Sequence, residues 1–164
     1  MRPIDVRDLL DDPGTTKTVH VEEALEGLHT ELVDVPADLP LEGDLSLESV
    51  VDGIYVSGSV AGRMAMRCAR CLKEFDRDFS VEMNELFVRE PGPDDDYGLA
   101  KDLTLDPEPM VRDTIVLDLP FSPLCKPDCL GLCERCGGDR NSGECTCTEP
   151  SADPRWAGLE RLIQ

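Results

Sequence analysis

The stretch that decides the fold is residues 41–88, LEGDLSLESVVDGIYVSGSVAGRMAMRCARCLKEFDRDFSVEMNELFV. Leu41, Leu45, Leu47, Val50 and Val51 lead into Asp52-Gly53, a pair that favours a tight hairpin turn. Apolar residues then alternate over part of Ile54 to Val60, and Arg63-Met64-Ala65-Met66-Arg67 continues the run after Gly62. A cysteine turn follows, then Phe75, Phe79, Val81, Met83 and Leu86 to Val88. A period of two with polar residues between predicts an antiparallel meander with one face buried.

Working outward, Ile4 to Leu10 is a short apolar segment closed by Asp11-Asp12-Pro13-Gly14, a turn sequence. Thr18 to Val21 reads as a strand, and so does 30–36, stopped by Pro36. Glu22 to His29 fits either strand or helix. On the other side, Glu90-Pro91-Gly92-Pro93-Asp94-Asp95-Asp96 cannot fill a core, so 89–105 is expected to be a mobile acidic loop. Asp106 at the cap, Pro107 at the first helical position and Glu108 in the first turn predict a helix over 107–119, ended by Pro120. The same grammar at Asp153-Pro154, with Trp156, Leu159, Leu162 and Ile163 at helical spacing, predicts a helix over 154–163. The expected class is α+β: an antiparallel β meander with a few helices and a C-terminal cysteine-rich zinc-knuckle region. Residues 1–124 read as an acidic α+β domain, and 125–164 as a cysteine-rich, zinc-binding tail with a terminal helix, packed on the same unit.

Composition supports one folded unit. The chain has 164 residues, 40% of them apolar, which is enough to enclose a core. Aromatic residues are only 4%, so that core must be aliphatic. Thirty-five acidic residues against 16 basic ones give a net charge of −19, which excludes coating nucleic acid or an anionic membrane by bulk charge. The first residues carry no apolar secretory core, and no apolar run is long enough to cross a membrane. The expectation is a cytoplasmic protein with no membrane partner.

Eight cysteines stand in four pairs: Cys68-Ala-Arg-Cys71, Cys125-Lys-Pro-Asp-Cys129, Cys133-Glu-Arg-Cys136 and Cys145-Thr-Cys147. In a reducing compartment such clusters suit metal better than disulfides. A CxxC turn converges two thiolates on one tetrahedral ion, and Gly137-Gly138 permits the left-handed backbone such a knuckle needs. Eight thiolates make two closed sites, predicting two structural zinc ions. Cys133, Cys136, Cys145 and Cys147 form a local set; Cys68 and Cys71 then take Cys125 and Cys129. The rival grouping joins Cys68 and Cys71 to Cys145 and Cys147. A four-thiolate iron–sulfur cluster is the other metal that fits. A thioredoxin-like redox CxxC would need a βαβ setting, and this one lies in a hairpin.

No catalytic constellation accompanies the cysteines. There is no P-loop, GxGxxG, HExxH or Ser-His-Asp set, and His20 and His29 lie far from the cysteines in sequence. No small-molecule substrate and no enzymatic activity are expected. The one dense basic patch is Arg63, Arg67, Arg70, Lys73 and Arg77, a local +3 over 62–77 after Glu74 and Asp76 are counted. It reads either as solvated strand ends that offset thiolate charge or as a phosphate contact for RNA.

These residues resemble the YceD family. The likeness runs through Leu45 to Gly58, Cys68-Ala-Arg-Cys71-Leu72, Glu85-Leu86-Phe87, Val111-Arg112-Asp113 and Leu119-Pro120. It continues through Leu124-Cys125-Lys126-Pro127-Asp128-Cys129-Leu130-Gly131-Leu132-Cys133 and on to Asp153-Pro154-Arg155-Trp156. The resemblance implies a factor supporting 23S rRNA accumulation or processing and large-subunit assembly. Its expected partners are a 23S rRNA precursor, a large-subunit ribosomal protein, or both. The alternative is a metal-dependent or redox enzyme acting on RNA.

Overall fold

A computed structural model describes residues 1–143 and 145–147. Its centre is a five-stranded antiparallel sheet. Strand β4 (Leu41–Val50) and strand β5 (Gly53–Arg67) form a hairpin, and β5 returns into β6 (Glu74–Val88) through the cysteine turn. The first strand of the chain is β1 (Ile4–Asp5), and β2 (Thr16–Glu23) pairs with β4 at the sheet's margin. Strand β3 (Val33–Asp34) pairs with Met66 and Ala65 beyond the end of β4. The long central strand β5 thus has β4 and β3 along one edge and β6 along all of the other.

The period of two sorts the faces. Leu41, Leu45 and Leu47 of β4, Ile54, Val56, Val60, Met64 and Met66 of β5, and Val81, Met83 and Phe87 of β6 are buried on the inner face. The helix α2 (Glu108–Asp118) covers that face with Met110, Val111 and Ile115. Each fully buried aliphatic side chain contributes about 1.5–3 kcal/mol, and the core is built almost wholly from them. The outer face carries Thr18, His20, Glu42, Asp44, Ser46, Ser57, Ser59, Glu82 and Asn84, as an open antiparallel sheet allows.

The meander and α2 follow the sequence closely. Asp106 Oδ1 accepts the N–H of Glu108 at 3.0 Å, and Pro107 already has helical φ and ψ, so the cap grammar is realised. Three local details differ. The hairpin turn is Val51-Asp52, with Gly53 already paired to Val50, because register with β6 extends β5 back to Gly53. The segment Arg7–Leu10 makes one helical turn, α1, which buries Leu9. The 89–105 stretch is tethered in its second half. Tyr97 and Leu99 bond the backbone of Val88, and β7 (Thr104–Leu105) pairs with β1, burying Leu99 and Leu105. An apolar residue every few positions in that half holds it down, where the acid-and-proline half has nothing to bury. The expected helix over 154–163 lies outside the described residues.

Candidate metal centre

The turn between β5 and β6 is a knuckle. Leu72 N–H bonds Cys68 O at 2.9 Å, and Cys68 N–H bonds Lys73 O at 2.9 Å, which aims both thiols to one side. The same ring recurs sixty-five positions on. Gly137 N–H bonds Cys133 O and Cys133 N–H bonds Gly138 O, both at 2.8 Å. The residue after the second cysteine is left-handed in each, Leu72 at φ 61° and Gly137 at φ 71°. Gly137 meets that demand freely, whereas Leu72 meets it against its own Cβ.

Each knuckle gathers a tetrad. Cys68 and Cys71 meet Cys125 and Cys129, and Cys133 and Cys136 meet Cys145 and Cys147, every sulfur lying within 4.8 Å of the others in its set. This is the grouping in which the second set is local. The segment after α2 reaches the first knuckle because Ala69 N–H bonds Pro123 O at 2.8 Å and Arg70 Nη1 bonds Cys129 O at 2.9 Å. Gly131 passes close over the turn, where a Cβ would stand 3.1 Å from Arg70 O. Cys68, Cys71 and Cys129 are buried with Phe75, Leu124 and Leu132 around them, while Cys136 and Cys147 are exposed.

The sulfur spacings fit a metal. Cys68 and Cys129 lie 3.8 Å apart, Cys71 and Cys125 3.7 Å, and Cys136 and Cys145 3.7 Å. A tetrahedron of sulfurs ~2.3 Å from a central zinc has edges of about 3.8 Å. The thiol acidities are split within each set. Burial pushes Cys68 up, but backbone N–H groups of Cys125, Cys71 and Arg70 outweigh it and bring Cys68 to about 6. Cys125 is pushed up to about 12, by burial first and then by the neighbouring thiols. Backbone N–H groups of Cys136 and Arg135 bring Cys133 to about 6, while Cys136 and Cys133 push Cys147 up to about 12. Four sulfurs this close cannot all ionise against one another; a cation in their midst removes the conflict. Each tetrad can hold a metal ion.

The five basic residues of 62–77 all have partners within the chain. Arg63 faces Asp78 at 3.6 Å and Arg67 faces Glu74 at 3.4 Å, both across the outer face. Arg70 holds Cys129 O, and Arg77 bonds Leu124 O at 3.5 Å with its guanidinium over Phe75. Lys73 pairs with Asp139 at 2.6 Å. Arg70 and Arg77 thus support the loop of the first tetrad, and Lys73 ties in the second knuckle.

Sequence reasoning missed the link between the two sets. Asn141 accepts Leu130 N–H on its carbonyl at 2.9 Å and aims its amide at Cys129 Sγ, 3.5 Å away, and at Asp139. Asp139, held well down to about 2 by Lys73 and then by Asn141, completes a chain from the β5–β6 turn to the second knuckle. Asn141-Ser142-Gly143 reads as an ordinary turn, and nothing in that string reports a sulfur contact.

The profile of a family described as "Large ribosomal RNA subunit accumulation protein YceD" matches residues 56–163. The uncharacterized protein Rv2926c of Mycobacterium tuberculosis is 35% identical over 167 residues, covering 98% of this chain and 80% of its own length. The uncharacterized protein ML1660 of Mycobacterium leprae is 31% identical, over 85% of this chain and 67% of its own. The uncharacterized protein YlbN of Bacillus subtilis is 28% identical, over 65% of this chain and 64% of its own. No solved structure matches the chain. No helix among the described residues is long and apolar enough to cross a membrane.

Proposed function

The chain belongs to the YceD family, and from that premise we propose that it is a non-enzymatic, cytoplasmic factor supporting 23S rRNA accumulation and large-subunit assembly, held in shape by two structural zinc ions. The family's description is the observation that carries the process. The zinc reading rests on the sulfur spacing: a [4Fe–4S] cluster interposes a cube of iron and sulfide between its thiolates and needs them farther apart. A closed four-thiolate set leaves no position for a reacting water, so the metal staples the β5–β6 turn to the segment after α2 and closes the second knuckle. The chemistry zinc supplies when bound is this cross-linking. Arg70, Arg77, Lys73 and Asn141 orient the loops that carry the thiolates, and half-buried Phe75 and Leu124 pack against the first set.

The experiment is depletion of the chain in its own cell, with mature and precursor 23S rRNA quantified by hybridisation. A fall in mature 23S rRNA at unchanged 16S rRNA is expected; unchanged 23S rRNA overturns the reading. Elemental analysis of protein purified without added metal should give about two zinc ions per chain. Iron with acid-labile sulfide would replace the zinc assignment, and no metal under reducing, anaerobic handling would remove it.

A further inference from the structure

We propose that the groove between the outer edge of β6 and the C-terminal half of α2 docks an extended, lysine- or arginine-rich segment of a partner protein, which joins the sheet as a sixth strand beside β6. The inference rests on the assembly role above and supplies its partner surface.

The strand β6 pairs with β5 through all fifteen of its residues, using one edge. Along its other edge, only Val88 makes backbone hydrogen bonds among the described residues, with Tyr97 and Leu99. Among the described residues, the backbone from Glu74 to Phe87 therefore faces no strand there. A groove of about 280 Å³ runs beside it, lined by Ser80, Val81 and Glu82 on the strand and Thr114, Leu117 and Asp118 on the helix. Ser80 and Glu82 belong to the outer face of the sheet and Val81 to the inner one, so the groove straddles the edge itself. A strand laid there finds main-chain partners on one side and side-chain contacts on the other, the geometry in which the backbone supplies affinity and alternate side chains supply selectivity.

The walls state what the occupant must be. Leu117, on the helix wall of the groove, is 84% exposed, so an apolar side chain stands open at the groove. The strand itself is negative: Glu74, Asp76, Asp78, Glu82 and Glu85 lie along β6 against one Arg77, with Asp118 across the gap from Glu82. Arg63 and Arg67 already face Asp78 and Glu74, and Glu82 and Asp118 are the acids that line the groove. An acidic edge repels a second copy of a chain of net charge −19, which protects it from self-pairing, and repels RNA phosphate equally. It attracts cations, and a cationic strand with apolar residues on alternate positions meets both the acids and Leu117.

The test uses the full chain and a labelled, capped ten-residue peptide of alternating lysine and valine, titrated by fluorescence anisotropy. Its comparators are the same peptide N-methylated at every second residue and a ten-nucleotide uridine RNA. Binding should weaken about ten-fold on N-methylation, which removes strand pairing and keeps the charge. It should weaken by a similar factor in Leu117→Ser and in Glu82→Lys/Asp118→Lys, with circular dichroism unchanged. Amide signals of residues 78–84 should shift on addition of the peptide. Equal binding of the N-methylated peptide would reduce the contact to bulk charge and overturn strand addition. Preference for the uridine RNA, or no peptide binding, overturns the proposal as well. The two readings fail separately. If the peptide binds by these criteria but depletion leaves 23S rRNA unchanged, the assembly role falls and the groove stands; the converse removes the groove alone.

Discussion

At the scale of single residues, the two knuckles are a controlled comparison. Leu72 and Gly137 occupy the same position in the same hydrogen-bonded ring, and only one of them suits a positive φ. A side chain in the left-handed region costs about 1–2 kcal/mol. Gly137→Val should therefore loosen the second knuckle by about that amount, read as faster metal extraction by a chelator. Leu72 is half exposed, so Leu72→Gly should cost little and can raise the melting temperature, because relief of strain offsets the added freedom of the unfolded chain. A second residue-scale expectation concerns His20, whose imidazole lies 3.0 Å from Asp44 on the outer face. The hydrogen bond to Asp44 raises its pKa above the ordinary 6.5. The stability this adds is fully present below the unfolded value and is lost as pH rises through the folded one. Titration followed by NMR should show the raised midpoint in the native chain and its return toward 6.5 in Asp44→Asn; an unchanged midpoint would remove the contact.

Among elements, the informative connection is the one from the β5–β6 turn to the segment that carries the other six cysteines. Cys68 and Cys71 join partners across α2, whereas Cys145 closes on a knuckle nine residues away. Metal binding is folding free energy for the segment it closes. Cys68→Ser should lower the melting temperature of the whole sheet, while Cys145→Ser should leave the sheet transition nearly unchanged and raise amide exchange only over about 133–147. Equal global loss from both would mean that the second tetrad also bears on the core. Lys73 offers a finer probe. It is largely exposed, but Asp139 is not, so Lys73→Met leaves a half-buried carboxylate without its cation and should loosen the second knuckle. The expected sign is faster metal loss from the second set with the first set unchanged.

For the whole molecule, the governing quantity is a charge of −19 on a chain whose core is aliphatic. Self-repulsion works against compactness and is screened by salt. The melting temperature should rise between about 10 and 200 mM salt, and a flat profile would mean that the acids are already neutralised by bound cations. The sheet and α2 were legible because their signals are local: alternation over 41–88 for the sheet, a cap at Asp106 and a stop at Pro120 for the helix. Spacing marked the eight cysteines and favoured the local second set but left the rival grouping open until the fold brought Cys125 and Cys129 to the first knuckle, and the left-handed site at Gly137 was legible too. What stayed hidden is what depends on meeting in space. Nothing around Leu72 announces a positive φ. Arg70, Lys73 and Arg77 read as one basic patch, yet each turns to a different partner, Cys129, Asp139 and Leu124. The short strands β1 and β7 have two residues each and acquire their identity only by pairing, so no window of sequence could single them out.

The separation of Cys71 from Cys125 also has a meaning in time. These two thiols are 54 positions apart in sequence, against nine for Cys136 and Cys145. Closing the longer loop in a disordered chain costs about 1.5 kcal/mol more. On a growing chain at ~5–20 residues per second, Cys68 and Cys71 wait about 3–10 s before Cys125 is made. During that interval Cys68 and Cys71 are a bare thiol pair open to oxidants and to any thiophilic ion present. The order of synthesis therefore makes the buried tetrad, the better protected of the two once complete, the one at greater risk while the protein is being made.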